Sequence, residues 1–247
     1  MVLSFEVAAQ TVAEKPFYMR FGGVVEHASE TRFIDIECDG PRRIHGCGTG
    51  PDGLKRGIGG QFGTAGGFEV GFGYRVAPGF RLEGIIQSRP PFKFNGHSNY
   101  NLAPENQRAT AEVSTLSVMS AAFYDFPETI SMPFGDFRPY FGSGVGYSRN
   151  KISETRISFP NTTTVIPSGQ TSSISAFLAI GILMPVSEVI TLDIAWRYTE
   201  LGQVETGPGN AYVEYRDGRP AILLPVSAET RGHLRSNGLA MSLIVPF

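Results

Sequence analysis

Eight stretches of this chain alternate between apolar residues and small or polar ones, and this period of two restricts the fold more than any other feature. Between residues 61 and 76, for instance, one set of alternate positions holds Phe62, Phe68, Val70 and Phe72, and the other set holds Glu69. Because successive side chains of a β-strand point to opposite faces, the pattern predicts strands with one apolar face. The predicted strands are 17–26, 61–76, 80–87, 112–126, 138–147, about 173–184, 190–198 and a last strand from near 233 to 247.

The connections between these stretches alternate in length. They are short after Val76, Phe126 and Met184, and long after Glu26, Gln87, Asn150 and Leu201. Transmembrane barrels have short periplasmic turns and long extracellular loops, whereas a soluble β-sandwich has no reason to sort its connections in this way. The sequence therefore predicts an all-β fold, an eight-stranded antiparallel up-and-down transmembrane β-barrel in the bacterial outer membrane, with both termini periplasmic. The last long connection, 202–229, also contains a hairpin signal at 215–219.

Composition agrees with a single barrel domain. The chain has 247 residues, and a barrel of this length can form one domain, which is predicted to be residues 17–247. Residues 1–16 are interpreted as a lead-in, in which Val7, Ala8 and Ala9 match the small-residue end of a signal peptide. The most apolar run, 177–186, has half the ~20 residues that a membrane-spanning helix needs. The formal net charge of −2 gives no electrostatic footprint for nucleic acid.

Cys38 and Cys47 are the only cysteines of the chain, and they flank a short polar segment. In an exported protein, two cysteines this close together predict one disulfide-closed loop. The alternative is a metal site that also uses His45, but these residues lack enough ligands at regular spacing. No pattern predicts a cofactor, because Gly142 and Gly144 follow the period of a strand and not that of a phosphate-binding loop.

Charged residues recur on the small-residue face of the predicted strands. They are Arg20, Glu26, Glu69, Arg75, Arg81, Glu83, Asp125, Asp193 and Arg197. Eight strands enclose a lumen that side chains can fill, and charges inside it must be paired. Because the arginines and carboxylates nearly balance, the pattern predicts a network of charged pairs that plugs the lumen; the alternative is an ion path. The aromatic residues of the opposite face are interpreted as a membrane-interface girdle rather than as ligand-stacking groups: Tyr74, Tyr124, Tyr147, Trp196 and Tyr198.

The last predicted strand ends in an aromatic residue, with Phe247, Val245 and Leu243 on one face. Three further segments have the same character: 122–126 (Ala-Phe-Tyr-Asp-Phe), 138–147 and 192–198. With these segments the chain resembles, over about residues 17–247, the small eight-stranded outer-membrane barrels, the OmpA- and opacity-like "porin family" surface proteins. This resemblance identifies architecture better than function, because the family includes adhesins, structural proteins and proteins without a known role.

The resemblance implies export across the inner membrane and contact with outer-membrane lipid and lipopolysaccharide. It also implies that the barrel-assembly machinery recognises the last strand, with Phe247, Val245 and Leu243 as the assembly signal. The first functional interpretation is a structural anchor whose extracellular loops mediate adhesion or dock to another envelope protein. The candidate partner contact is an apolar run in a predicted loop, Ile222, Leu223 and Leu224. The alternative interpretation is a narrow, porin-like diffusion channel for small solutes.

An enzyme must also be considered, because a few small barrels act on lipid A acyl chains. The four histidines lie in or near predicted outer loops, where such chemistry would occur: His27, His45, His97 and His233. A Ser-His-acid arrangement requires the hydroxyl within hydrogen-bond reach of the imidazole. His233 and Ser236 are an odd number of residues apart on one strand, so their side chains face opposite sides. The sequence therefore predicts no catalytic residues and no enzymatic activity.

Overall fold

The structure is a computed structural model that describes residues 16–39, 43–100, 107–133, 135–227 and 229–247. The described part contains thirteen strands. The first seven are β1 (Phe17–Asp35), β2 (Ile58–Ala77), β3 (Phe80–Ser98), β4 (Arg108–Asp125), β5 (Ile130–Met132), β6 (Gly135–Ile152) and β7 (Thr155–Ser158). The others are β8 (Thr162–Ile166), β9 (Gly169–Ser187), β10 (Ile190–Glu205), β11 (Asn210–Tyr215), β12 (Ile222–Ser227) and β13 (Thr230–Pro246). Within these ranges, no helix is long and apolar enough to cross a membrane. Residues 1–15, most of the predicted lead-in, lie outside the described part.

Eight long strands close into one antiparallel barrel. In order around the wall they are β1, β2, β3, β4, β6, β9, β10 and β13, and β13 pairs with β1 to complete the ring. The predicted eight-stranded antiparallel barrel is therefore confirmed. We call one end the short-turn end, where connections 78–79, 126–134 and 188–189 lie, and the other the long-loop end.

The outer wall near the short-turn end is apolar, as predicted. Side chains such as Phe72, Leu82, Val118 and Leu243 are exposed on the outside of the barrel. Their neighbours along the same strands point into the lumen and are buried, so each strand separates an apolar outer face from a polar inner one. A continuous apolar outer surface of this size requires an apolar surrounding.

The strands continue well beyond the predicted boundaries at the long-loop end, and there the facing pattern reverses. The inside of this upper part is apolar, and its fully buried side chains include Phe33, Ile58, Phe92 and Phe94. The outside carries polar groups such as Lys93, which is exposed. The segments 27–35, 88–98 and 202–205 were predicted to belong to long loops, and this prediction is wrong. Strands were predicted only where an apolar face could point outward to lipid. In this upper part the outer face is surrounded by water, so the apolar residues of the strands point inward instead.

Backbone irregularities change the facing of individual side chains in this region. Phe62 was predicted on the outer face with Phe68, but it is 1 % exposed and points inward. The cause lies at Gly63, whose φ of 67° is accessible to glycine and puts two successive residues on the same side. On β3, a register shift between Arg89 and Phe92 has a similar effect at the two intervening prolines.

A smaller sheet extends one side of the barrel at the long-loop end. Strands β7, β8, β11 and β12 pair in that order outward from β4. The predicted hairpin is confirmed, because β11 and β12 pair and Gly218, with φ of 82°, lies in their turn. The region 153–171 was predicted as a loop, whereas it contains β7 and β8. Its run of β-branched residues, 162–166, favours a strand once a neighbouring strand is available.

Candidate functional site

The centre of the lumen is a guanidinium surrounded by carboxylates. Arg20 on β1 is fully buried, and its nitrogens lie 3.0 Å from Glu69 Oε1, 3.2 Å from Glu83 Oε2 and 2.6 Å from Asp193 Oδ2. These acids come from β2, β3 and β10, and Ser242 on β13 donates to Glu69 Oε1 at 3.0 Å. Because β1 is not a neighbour of β3 or β10 in the wall, these contacts cross the interior of the barrel.

A second arginine continues the network toward the short-turn end. Arg81 Nε donates to both oxygens of Asp125, at 3.0 and 2.8 Å, and Nη1 donates to Glu83 Oε1 at 2.8 Å. Tyr18 donates its hydroxyl to the same Glu83 oxygen at 2.6 Å. The guanidinium carbon lies 4.8 Å from the ring centroid of Phe123, within the range of a cation–π contact. The aromatic ring and the carboxylates together hold this side chain in one orientation.

Two further arginines continue the network toward the long-loop end. Arg197 Nη1 lies 2.7 Å from Glu69 Oε2, on a strand three places away in the wall. Arg89 Nε lies 2.5 Å from Glu26 Oε2, and Arg89 Nη2 donates to Gln87 Oε1 at 2.6 Å. Gln87 in turn donates to Glu69 Oε2 at 3.1 Å, so the two groups of charges form one connected network.

All nine charged residues predicted for the lumen lie on its inner face, and the contacts described above connect eight of them. Arg75 is the ninth; it lies at the short-turn end, with its guanidinium carbon 5.1 Å from the Tyr18 ring centroid. Sequence reasoning missed Arg89, because the Pro90–Pro91 pair that follows it indicated a loop. The predicted set indicated that one cation was missing, because it contained four arginines and five carboxylates. With Arg89 the inner face carries five arginines, Arg75 included, and five carboxylates, so the named charges of the lumen balance.

The lumen is narrow because large side chains lie over glycines on adjacent strands. A Cβ atom placed on Gly142 would lie 2.1 Å from the Phe123 ring, and one on Gly73 would lie 2.1 Å from the Tyr18 ring. Gly181 faces the ring of Tyr140 in the same way, at 2.6 Å. These glycines therefore make room for rings that reach across the lumen, which is the physical basis of their period of two.

Above the charges, at the long-loop end, the lumen is filled by aromatic rings. The ring centroids of Phe33 and Phe94 are 5.3 Å apart, and those of Phe62 and Phe94 are 5.1 Å apart. Phe92 is also fully buried in this cluster of core residues. Each such side chain contributes about 1.5–3 kcal/mol through burial, so this region is stabilised in the way of a water-soluble core.

The loop between β1 and β2 is closed by the predicted disulfide, Cys38–Cys47, with an S–S distance of 2.05 Å. The backbone nitrogens of His45 and Gly46 both donate to Asp35 Oδ2, at 2.8 and 2.7 Å. The His45 ring contacts the Tyr100 hydroxyl through Nδ1 at 3.1 Å, and burial lowers its pKa to about 4. In the part of the chain that the structure describes, no group of three or more His, Cys, Asp or Glu residues could hold a metal ion.

An open cavity of about 720 Å³ lies beside this loop. One wall is organised by Asn99, whose amide nitrogen donates to Asp52 Oδ1 at 2.8 Å while its oxygen accepts from Gly57 N at 2.9 Å. The hydrogen bond from Asn99 holds the pKa of Asp52 below its usual value. The other lining residues include Glu30, Arg32, Leu54 and His97. The cavity is open to solvent.

The predicted partner contact lies on the β11–β12 hairpin. Ile222 and Leu223 are 51 % and 62 % exposed, whereas Leu224 is half-buried and packs against the core cluster. Among the described strands, β12 pairs with β11 alone and forms the outer edge of the side sheet. The hairpin is tied back to the sheet by an ion pair between Arg156 on β7 and Glu214 on β11. The structure thus presents two exposed aliphatic side chains on a supported strand edge.

The histidines do not come together. His27 Nδ1 contacts Thr64 Oγ1 at 3.2 Å, and His45 contacts Tyr100, as described above. His233 is exposed whereas Ser236 is fully buried, so the two side chains face opposite sides of β13 as their spacing predicted.

The outermost aromatics of the barrel mark its short-turn end and its closing seam. Phe247 N donates to Phe17 O at 3.1 Å, and the Phe247 ring lies 6.4 Å from Phe17 and 6.1 Å from Phe72. A matching group on β3 and β4 brings the ring centroid of Tyr124 within 4.8 Å of that of Phe80. An apolar wall, a charged lumen and an aromatic ring at one rim are the features of a barrel that crosses a membrane.

Comparison with known proteins agrees. Residues 1–216 match the family model of the outer membrane protein beta-barrel domain. The chain belongs to this family. It is accordingly an outer-membrane β-barrel, and the apolar band is the surface that faces lipid. No sequence match was found among proteins of curated function.

Several solved structures are similar to this chain at low sequence identity. Neisserial surface protein A is 17 % identical with a TM-score of 0.42, over 94 % of this chain and 97 % of that one. The outer membrane protease OmpT from Escherichia coli is 7 % identical with a TM-score of 0.46, over 100 % and 99 %. OprG from Pseudomonas aeruginosa is 14 % identical with a TM-score of 0.42, over 93 % and 96 %. At these values none of the similarities carries an argument about function.

Proposed function

We propose that this protein is a membrane-anchored surface protein without enzymatic activity, whose long-loop end is extracellular and docks to an envelope or surface partner. The observation that carries the proposal is the β11–β12 hairpin, which exposes Ile222 and Leu223 on the free edge of a sheet fixed to the barrel. Exposed aliphatic residues on a rigid strand whose outer edge is unpaired are typical of a protein contact. With this orientation both termini are periplasmic.

The charged lumen supports an anchor rather than a pore. Arg20 and Arg197 are almost completely buried and form ion pairs with acids on strands that are not their neighbours, so a solute would have to break these contacts to pass. Separating one buried pair leaves an uncompensated charge, at a cost of about 3–5 kcal/mol. The cluster of buried aromatic rings toward the long-loop end, with Phe33, Phe62 and Phe94, also blocks the lumen.

Assembly of the anchor is assigned to β13. We propose that the barrel-assembly machinery recognises this strand through its outward residues, Phe247, Val245 and Leu243, and that lipid and lipopolysaccharide surround the finished barrel. Leu243 and Phe247 are exposed on the outer wall, and Val245 is partly covered beside Met19. Their side chains are therefore accessible on the outer wall.

The docking proposal is tested with two matched variants on intact outer membranes. Leu223→Asp places a charge on the hairpin edge, and Leu54→Asp places the same charge on an equally exposed leucine of the other loop region. Photo-crosslinking and affinity capture of the wild-type barrel should recover a defined partner. We expect this partner to be lost with Leu223→Asp and retained with Leu54→Asp. Equal recovery with both variants would remove the hairpin from the interface.

The channel alternative is tested by conductance in planar bilayers. An anchor with a plugged lumen should give no steady conductance. Steady conductance that changes when Arg197 or Glu69 is replaced by glutamine would show that ions pass through the network, and would contradict the anchor proposal.

A further inference from the structure

The lumen opens at the short-turn end into a cavity of about 260 Å³. Its polar wall holds Arg75, Arg81, Asp125 and Arg138. The remaining lining residues are Thr129, Asp136, Leu183, Pro185, Thr191 and Ile244. A second cavity beside it is lined by the same three arginines and Asp125, so these charges form one side of the mouth of the barrel.

One donor at the base of this cavity is buried and has no acceptor. Arg81 is 2 % exposed, and its Nε and Nη1 are bonded to Asp125, Glu83 and Tyr18. Its Nη2 is buried and makes no hydrogen bond within the described ranges. The Tyr140 and Phe123 rings flank the guanidinium, with the nearer centroid 4.8 Å away, so the group is held in place. A buried donor left without an acceptor costs about 1–3 kcal/mol, which a bound oxygen would recover.

The rim of the cavity carries more positive than negative charge. Asp125 is already bonded to Arg81, and Asp136 accepts a hydrogen bond from Ser131 at 2.7 Å. Arg138 is exposed at the mouth and forms no ion pair with any residue that the structure describes. Arginine forks match the geometry of a planar carboxylate and form charge-assisted hydrogen bonds with it.

The opposite wall of the cavity is apolar. Leu183 and Ile244 point inward from β9 and β13 and are nearly fully buried, and Pro185 lies beside them. A simple inorganic anion would leave this wall uncovered. An anion with a small apolar body would contact both walls at once.

We propose that the short-turn mouth of the barrel is a binding site for a carboxylate that carries a small apolar group. The carboxylate accepts hydrogen bonds from Arg81 Nη2 and Arg138, and the apolar group packs against Leu183 and Ile244. Two sources share this chemistry: a free short-chain organic acid, and the carboxylate end of a peptide. In the proposed orientation the site faces the periplasm. It lies at the other end of the barrel from the hairpin, so either proposal can fail while the other holds.

The test uses the purified, folded barrel in detergent, with the methyl groups of isoleucine and leucine labelled for NMR. Butyrate represents the free acid and N-acetylalanine the peptide end; N-acetylalanine amide and inorganic phosphate are the comparison ligands. We expect saturable shifts of the Ile244 and Leu183 methyls with one or both acids, and binding at least about tenfold weaker with the amide. A factor of ten corresponds to about 1.4 kcal/mol, the scale of one charge-assisted hydrogen bond.

Arg138→Gln provides the matched variant, because Arg138 is exposed and lies outside the connected charge network. It should weaken acid binding about tenfold, whereas Arg149→Gln, an equally exposed arginine toward the long-loop end of the same strand, should leave it unchanged. The proposal is overturned if neither acid binds, if the amide or phosphate binds as tightly as the acids, or if Arg138→Gln binds like the wild type. Which of the two acids binds more tightly identifies the source.

Discussion

Arg20 is the single residue on which the interior depends most. It is completely buried and contacts carboxylates from three other strands, so its removal would leave Glu69, Glu83 and Asp193 with fewer positive partners in a dry site. Mutual repulsion and the loss of solvation both act against the folded barrel. A charge on the outer surface has none of these consequences, because water screens it.

We therefore expect Arg20→Ala to lower the free energy of unfolding by about 3–5 kcal/mol. Arg149→Ala, on the water-exposed part of β6, should change it by less than about 0.5 kcal/mol. Urea unfolding in lipid vesicles, followed by the loss of the fast-migrating folded band, measures both. Equal stabilities of the two variants would mean that the lumen contacts do not hold the barrel together.

His45 makes the disulfide-closed loop sensitive to acid. Burial lowers its pKa from the ordinary 6.5 to about 4, so between these values the opened loop binds a proton that the packed loop does not. The packed loop is consequently most favoured above pH 6.5 and loses stability as the pH falls toward 4. Protection factors from hydrogen exchange at His45 and Gly46 should fall in this window, by up to about tenfold per pH unit. In His45→Phe this dependence should disappear, and its persistence would contradict the assignment to His45.

At the scale of single strands, the glycines of the lumen determine how closely the rings can pack. Gly142 on β6 lies under the Phe123 ring of β4, whereas Gly84 on β3 faces outward and a Cβ there would meet nothing within 4 Å. The two positions are both glycines in barrel strands and differ mainly in this contact. They separate the effect of overpacking from the general effect of removing a glycine from a strand.

We expect Gly142→Ala to destabilise the barrel by about 1–3 kcal/mol, because the new methyl group forces the Phe123 ring away from its position beside Arg81. Gly84→Ala should be neutral or slightly stabilising, since it lowers the entropy of the unfolded chain. The same urea titration compares them. If Gly142→Ala were as stable as the wild type, the ring would have an alternative position and the lumen would be looser than the contacts indicate.

At the scale of the whole molecule, the outer wall of the barrel is surrounded by lipid in its lower part and by water in its upper part. Its lower part presents apolar side chains to lipid and encloses charges, and its upper part presents polar side chains to water and encloses aromatic rings. The β-bulges at Gly63 and between Arg89 and Phe92 lie in this upper part, where the facing of the strands changes. Because closed antiparallel pairing satisfies the backbone along the whole wall, both parts share one continuous set of hydrogen bonds.

This construction predicts the behaviour of the intact protein in detergent. The folded barrel should migrate faster than the unfolded chain in cold SDS, and boiling should convert the first band to the second. The conversion should need a higher temperature in the wild type than in Arg20→Ala. A protein that stayed dispersed in buffer without detergent would contradict the lipid-facing assignment of the outer wall.

The lower part of the barrel could be predicted from sequence, because lipid on one side and a polar lumen on the other impose a strict period of two. Residues such as Val70, Glu69 and Trp196 follow that period and were assigned to the correct faces. The upper part could not be predicted in the same way, since water outside removes the apolar outer face and the bulges break the period, as at Phe62. Arg89 was not predicted as a lumen residue because it lies next to one of these bulges. The cavity at Arg138 could not be predicted, because it depends on distances between strands that no local sequence pattern contains.

The change from lipid to water along the outer wall has a further consequence: it fixes the depth at which the barrel sits in the membrane. Just above the lipid-facing band, β6 carries the exposed Arg149 and Lys151, while Tyr147 lies one step below them. If the barrel sank by a few ångströms, both cations would enter the edge of the lipid-facing region, at up to about 1 kcal/mol each. If it rose, Tyr147 and the apolar side chains below it would enter water. The vertical position of the protein in the bilayer is thus fixed. A bilayer of a different thickness would have to become thinner or thicker around the barrel to match its lipid-facing band. The height at which the hairpin stands above the membrane is therefore set by the barrel itself.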